Sequence, residues 1–298
     1  MNNLNIRDRQ IVFAGPGKVW ETIINNFSRD FSNILVWNRA GDYENFPSYP
    51  IGELSHNHVS EDAIGIITAF WDWANKALND FAKHKIPTAL LATAYDQGLV
   101  DKYATEIPLL KAPNTVLPIV ELMAIFQDFP DFKGIHMEIH ESHQPGKKDA
   151  SGTARKMIDI MKKKDWNFDF QWCNLYHPDE WISNFGDLIS YRWEASKKLW
   201  VPDEHITGWH GYHTYDRIYW DWENYQEFKR QIQTWYNKYK DSNLTWFKAW
   251  FREKTNSFKF SHNIDGRDIY ADGLREMLPW FLEQEVWVHE VTDYLKIA

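Results

Sequence analysis

Between residues 11 and 93, short apolar runs alternate with segments spaced like amphipathic helices, and no other feature restricts the fold as tightly. IVFA (11–14), NILVW (33–37), AIGIIT (63–68) and TALLAT (88–93) read as strands, while KVWETIINNF (18–27) and WDWANKALNDFAKHK (71–85) read as helices. Strands that are apolar throughout must be covered on both faces, and helices in the connections supply that cover. The expectation is an α/β fold with a doubly wound parallel sheet, which takes ligands at the carboxyl ends of its strands.

GPGKVW (15–20) directly follows the first strand. A Rossmann-like dinucleotide-binding fold places its glycine-rich turn there: Gly15 allows the tight turn, and Gly17 lets backbone approach a pyrophosphate. Lys18 and Val19 would open the helix beneath the phosphates. The third glycine of the usual fingerprint is replaced by Trp20, which would need the helix to shift or would fill space near a cofactor. Asn38-Arg39 ends the second strand, where an acidic residue would favour NADH. Arg39 instead suits a 2′-phosphate and tilts the expected cofactor from NADH toward NADPH. A solvated loop arginine is the competing reading.

The second half holds EIHESHQPGKKDASGTA (138–154), which runs into the helix-like ARKMIDIMKKK. It gathers His143, Lys147, Lys148, Asp149 and a Ser151-Gly152-Thr153 turn at a helix start. Unpaired amides of a helix N-terminus, two hydroxyls and a lysine suit a small anion, and His143 suits proton transfer near neutral pH. An ordinary N-cap with solvated lysines is the plainer reading. KGIHMEIHE (133–141) alternates in period two, with Ile135, Met137 and Ile139 on one face and His136, Glu138 and His140 on the other. This strand is expected to deliver His143 and Lys147 into the polar loop beyond its end. A metal site at His136, Glu138, His140 and His143 is a weaker reading, because no further ligand spacing supports it.

The segment resembles the signature E-x-x-E-x-H-H-x-x-K-x-D-A-P-S-G-T-A of the dihydrodipicolinate reductase family. Glu138, Glu141, His143, Lys147, Asp149, Ala150, Ser151, Gly152, Thr153 and Ala154 match. Gln144 replaces the second histidine and the proline before the serine is missing, and both departures are similar to the plant-type branch. FSHNIDGRDIYADG (260–273) resembles the family's closing motif, HITGWHGYHTY (205–215) is similar to its G-H-x-x-H segment, and APN (112–114) stands before the expected hinge.

The resemblance implies an NAD(P)H-dependent oxidoreductase that reduces 4-hydroxy-tetrahydrodipicolinate to tetrahydrodipicolinate in lysine (diaminopimelate) biosynthesis. It makes His143 the proton donor and Lys147 the second catalytic residue. It gives Gln144, Ser151, Gly152 and Thr153 to the substrate, and Gly15, Gly17, Lys18, Val19, Arg39, Thr93 and Arg267 to the cofactor. It implies a dinucleotide-binding domain at 1–117 and 266–298, an α+β substrate and oligomerisation domain at 118–265, and a homotetramer. Two alternatives stay open: a related reductase acting on another cyclic imine or dicarboxylate, and a ligand-binding descendant without catalysis.

At 298 residues the chain has room for two domains. A net charge of −9 gives no global basic surface for nucleic acid. No apolar run approaches a membrane span, and a lone Cys173 excludes an internal disulfide or a multi-cysteine zinc site. A cytoplasmic protein is the simplest expectation, with prior removal of a transit peptide left open. Eleven of the seventeen tryptophans fall between Trp166 and Trp250, fitting either an interface or an aromatic core. Segments 221–240 and 244–251 read as aromatic-striped helices. Within the family, 221–255 looks like an insertion. GRDIYADGLREMLPWFLEQEVW (266–287) reads as a helix that returns to the first domain.

Overall fold

The computed structural model describes residues 6–15, 18–38, 46–50, 57–69, 71–128, 136–143, 151–163, 174–175, 188–192, 212–219, 234, 248–252, 257–264 and 267–296. The chain divides into two compact units. Met1–Val120 and Arg267–Ala298 form unit 1, and Glu121–Gly266 forms unit 2.

Unit 1 is an α/β unit with a parallel sheet. Its strands are β1 (Ile11–Ala14), β2 (Ile34–Asn38), β3 (Ser48–Pro50), β4 (Ile64–Ile67), β5 (Thr88–Leu90), β6 (Leu109–Lys111) and β13 (Val288–Glu290). The order is β13-β6-β5-β4-β1-β2-β3, and every pairing is parallel. All four residues of β1 are buried, which is why the strand reads as an unbroken apolar run. The chain goes from β1 outward to β2 and then back to β4 on the other side of β1. That reversal makes the crevice between the carboxyl ends of β1 and β4 the fold's ligand site.

The helices of unit 1 follow their apolar spacing. α1 (Lys18–Phe27) buries Ile23, Ile24 and Phe27, and α2 (Asp72–Lys83) buries Ala74, Ala77, Leu78, Phe81 and Ala82. α2 stops where Lys85 takes a φ of 56°, and Ile86 N–H donates back to the Phe81 carbonyl at 3.0 Å. That six-to-one bond with a left-handed residue is the usual way to satisfy the last carbonyls of a helix. α3 (Gln97–Tyr103) is capped by Asp96, whose carboxylate accepts from Gly98 N–H at 2.8 Å. α4 (Leu117–Gln127) begins in unit 1 and runs into unit 2. The short strands β3, β6 and β13 and the helices α3 and α4 were not among the elements expected from sequence.

The chain's return is the sixth described helix, α6 (Asp268–Leu282), which ends five residues before the expected limit. It packs on α1 through Asp268, which accepts from Asn26 Nδ2 at 2.8 Å, and through Arg275, whose Nε lies 2.9 Å from Asp30. It also meets the chain's exit from unit 1. Thr115 Oγ1 donates to the Tyr270 carbonyl at 2.7 Å, and a Cβ on Gly273 would lie 1.7 Å from the Thr115 oxygen. Only glycine fits there.

Unit 2 contains a six-stranded mixed sheet: β7 (His136–His143), β8 (Asn174–Leu175), β9 (Leu188–Arg192), β10 (Tyr212–Tyr219), β11 (Lys248–Arg252) and β12 (Ser257–Asn263), in the order β11-β12-β10-β7-β9-β8. β7 lies inside the sheet, antiparallel to β10 and parallel to β9. α5 (Gly152–Lys162) follows it in the chain. The expectation of a helix over 244–251 is corrected, since Lys248–Arg252 is a strand paired antiparallel to β12 from Lys248↔Ser261 to Arg252↔Ser257. The aromatic residues there satisfy a period of two as well as of three to four, and pairing across a short hairpin favours the strand. The expected helix over 221–240 lies outside the described residues except for Thr234, and most of the tryptophan-rich stretch does as well.

Candidate functional site

Strand β7 carries its chemistry on its buried face. Ile139, Glu141 and His143 alternate along it, and all three are buried, Glu141 completely. The expectation that His143 stands in a loop past the strand is corrected: it is the last residue of β7 and only 7% exposed. The metal reading rests on His136, Glu138 and His140, whose side chains lie outside the described ones. Among the described residues no group of three or more potential ligands holds a metal site.

A fully buried carboxylate requires partners, and Glu141 has them on both oxygens. Its Oε2 pairs with His143 Nδ1, and its Oε1 accepts from Ser151 N–H at 3.1 Å. Ser151 is the N-cap of α5: its Oγ accepts from Ala154 N–H at 3.4 Å, and its carbonyl accepts from Arg155 N–H at 3.1 Å. The plain N-cap reading and the anion-site reading are therefore both partly right. Ser151 caps the helix, and the first anion facing its amide is the chain's own Glu141. Gly152 and Thr153 supply the next amides of the first turn, where the helix dipole favours negative charge.

This arrangement fixes the histidine. A carboxylate on Nδ1 favours the tautomer with its proton on that nitrogen. Sequence reasoning gives Glu141 no role beyond its match to the motif. The signal is nevertheless present, since Glu141 stands in period two with Ile139, on the face expected to be apolar. Gln144 and Lys147 lie outside the described residues.

In unit 1 the candidate cofactor residues divide. Gly15 leaves β1 with a φ of 110°, and a Cβ there would sit 2.4 Å from the backbone nitrogen of Ala69. Gly15 N–H donates to the Trp37 carbonyl at 3.0 Å, and Thr68 N–H donates to the Ala14 carbonyl at 2.9 Å. The glycine turn is thus pinned between the ends of β2 and β4, at the reversal point of the sheet. Lys18 and Val19 open α1, and Thr93 is exposed in the connection after β5, on the same edge. Gly17 and Arg39 lie outside the described residues. Arg267 takes the N-cap position of α6, beside Tyr270. Burial pushes the Tyr270 phenol up to about 12, against the pull of a hydrogen bond with Asn114 and the charge of Arg267.

These residues fit a dinucleotide by position: a positive-φ glycine at the end of the first strand and a helix beginning just beyond it, at the switch point of the sheet. Among the described residues no helix is long and apolar enough to cross a membrane.

Comparison with known proteins adds a family. Residues 118–295 match the family model described as "Dihydrodipicolinate reductase, C-terminus". A probable 4-hydroxy-tetrahydrodipicolinate reductase 2, chloroplastic, of Oryza sativa subsp. japonica is 28% identical over 212 residues, 68% of this chain and 50% of the relative. The 4-hydroxy-tetrahydrodipicolinate reductase 2, chloroplastic, of Arabidopsis thaliana is 28% identical over 209 residues, 66% of this chain and 46% of the relative. The chain thus spans about half the length of these curated relatives. A solved structure titled as a dipicolinate-bound dihydrodipicolinate reductase from Paenisporosarcina sp. TG-14 is 14% identical with a TM-score of 0.49, covering 95% of this chain and 97% of that one.

Proposed function

The chain belongs to the dihydrodipicolinate reductase family, and from that premise we propose that it reduces 4-hydroxy-tetrahydrodipicolinate to tetrahydrodipicolinate with NAD(P)H, a step of lysine biosynthesis. The observation that carries the reading is the buried Glu141–His143 pair set against the N-terminus of α5. A proton donor of fixed orientation beside helix amides matches a dicarboxylate that must gain a proton.

Loss of the 4-hydroxyl with a neighbouring hydrogen releases water and leaves a conjugated ring. One hydride and one proton then complete the reduction. A bound NAD(P)H supplies the hydride. His143 supplies the proton from Nε2 while Glu141 holds Nδ1. Gly152 and Thr153 hold one carboxylate of the substrate through their amides. Lys147 is assigned to the same anion, a role that rests on the motif. Gln144 donates a hydrogen bond where the family signature has a second histidine, and it does not titrate.

The cofactor preference is proposed to lean to NADPH because Arg39 follows β2 in the sequence, where an acidic residue would suit NADH. Assembly as a homotetramer through unit 2 is proposed on family grounds and on the tryptophan density of that half.

The test is turnover of 4-hydroxy-tetrahydrodipicolinate with NADPH and with NADH, set against a panel of other cyclic imines. Oxidation of NADPH that depends on this substrate supports the reading. Turnover of another imine alone sinks the substrate assignment, and no turnover of any substrate sinks the catalytic one.

A further inference from the structure

Trp71 lies four residues past the end of β4 and is 71% exposed, the most exposed of the described large apolar side chains. Its backbone has φ 51° and ψ −126°. That is the geometry of the first central residue of a type II′ turn, which glycine dominates because a Cβ is strained there. A bulky aromatic in a glycine conformation, held out in water, combines two unfavourable choices at one position. Such strain clusters where a ligand site needs it.

The backbone of Trp71 is held from both sides. Its N–H donates to the Ala94 carbonyl at 2.8 Å, and its carbonyl accepts from Asn75 N–H at 3.0 Å. Asn75 Oδ1 in turn accepts from Asp96 N–H at 2.8 Å. The connection after β4 is thereby laced to the connection after β5. The indole therefore stands on a fixed base at the carboxyl edge of the sheet, two residues along the chain from Ala69, whose backbone closes on Gly15.

The side of the crevice follows from strand order. β2 flanks β1 on one side, and its end faces the adenosine half of a dinucleotide; β4 and β5 lie on the other side, where the nicotinamide half falls. We propose that Trp71 is the platform on which the nicotinamide ring of the cofactor stacks. An indole face suits a flat heteroaromatic ring, and a preset backbone means that binding does not have to order the loop. The proposal rests on the dinucleotide reading above and adds a residue that the glycine fingerprint does not contain.

The experiment is calorimetry on the full chain with two probes: NADPH, and 2′-phospho-ADP-ribose, which keeps the adenosine and pyrophosphate but lacks the nicotinamide. Trp71→Ala should weaken NADPH about tenfold, the usual scale of one ring stack, and leave the truncated probe within about twofold. Trp71→Phe should keep most of the NADPH affinity. Trp71→Gly should lose NADPH affinity like the alanine variant yet melt at a higher temperature than wild type, because glycine relieves the turn. Equal losses for both probes, or none for NADPH, would overturn the proposal while leaving the dinucleotide reading intact. A changed oligomeric state in light scattering with unchanged NADPH affinity would make Trp71 an assembly contact and overturn it too. Wild type that bound neither probe would sink the proposal and the dinucleotide reading together.

Discussion

Unit 1 and unit 2 place polar chemistry in opposite ways. In unit 1 strands β1, β4 and β5 are buried to their ends, and the proposed ligand contacts begin where each strand stops: Gly15 after β1, Trp71 after β4, Thr93 after β5. In unit 2 a strand carries the chemistry inside the sheet, with Glu141 and His143 alternating with Ile139 on a buried face. Packing and function are therefore separable in the first unit, apart from the glycine turn itself. In the second the proposed catalytic groups are themselves buried, so truncating one also disturbs the fold.

The largest effect expected from this contrast is at His143. His143→Ala should lower kcat by about 10²–10⁴, the usual share of a general acid, with a smaller change in KM. It should also lower Tm, because it leaves a buried Glu141 oxygen without its histidine partner, a loss of about 1–3 kcal/mol for a buried polar group. Steady-state kinetics beside a melting curve checks both. A His143→Ala protein with wild-type Tm would break the claim that unit 2 fuses packing and catalysis.

Glu141→Gln comes next. The amide still accepts from Ser151 N–H, so folding should persist, but it does not fix the imidazole proton. A fall in kcat on the order of 10²-fold is expected. If kcat stays within about threefold while Tm falls, Glu141 is packing alone, and the site loses its positioning residue.

Gly15→Ala is the counterpart in unit 1. The added Cβ meets Ala69 backbone at 2.4 Å in a conformation that L residues rarely adopt, so a loss of about 1–3 kcal/mol is expected in chemical denaturation. Dinucleotide affinity should fall with it. Arg39→Ala should lower NADPH affinity without moving Tm. A stability loss at Arg39 would blur the separation drawn here.

The smallest effect is alkaline. Burial pushes the phenols of Tyr95 and Tyr270 up to about 12 from an ordinary 10, and both belong to unit 1. The folded state favours the neutral phenol. The stabilisation is therefore complete below the unfolded pKa near 10 and is lost as pH rises from there toward the folded value. Denaturant midpoints should fall across that window, and Tyr270→Phe should shrink the fall.

Much of unit 1 was legible because its strands announce themselves. IVFA, NILVW and AIGIIT are apolar without interruption, and the intervening α1 and α2 carry clean helical spacing. The three-residue strands β3, β6 and β13 are too short for any period to register, and their pairing is set by neighbours distant in sequence. The Lys248–Arg252 strand was misread because its aromatics satisfy two periods at once, and only the partner strand decides between them. At the candidate site, His143 and the Ser151 turn were visible as residue types. Glu141 was not, because a carboxylate on an apolar face carries meaning only when its partners are known: one is His143, two residues along β7, and the other, Ser151, lies ten residues on.

The clasp between Thr115 and the start of α6 has a consequence for how the molecule is made. Unit 1 lacks α6 and β13 until residues 267–296 leave the ribosome, and every residue of unit 2 is synthesised first. At about 5–20 residues per second, the incomplete sheet waits roughly ten to thirty seconds with the flank of β6 and the outer face of α1 uncovered. Biogenesis of this chain thus runs from the inside outward: the inserted unit has time to fold before the unit that encloses it can close, and vulnerability to cotranslational aggregation is greatest in that interval.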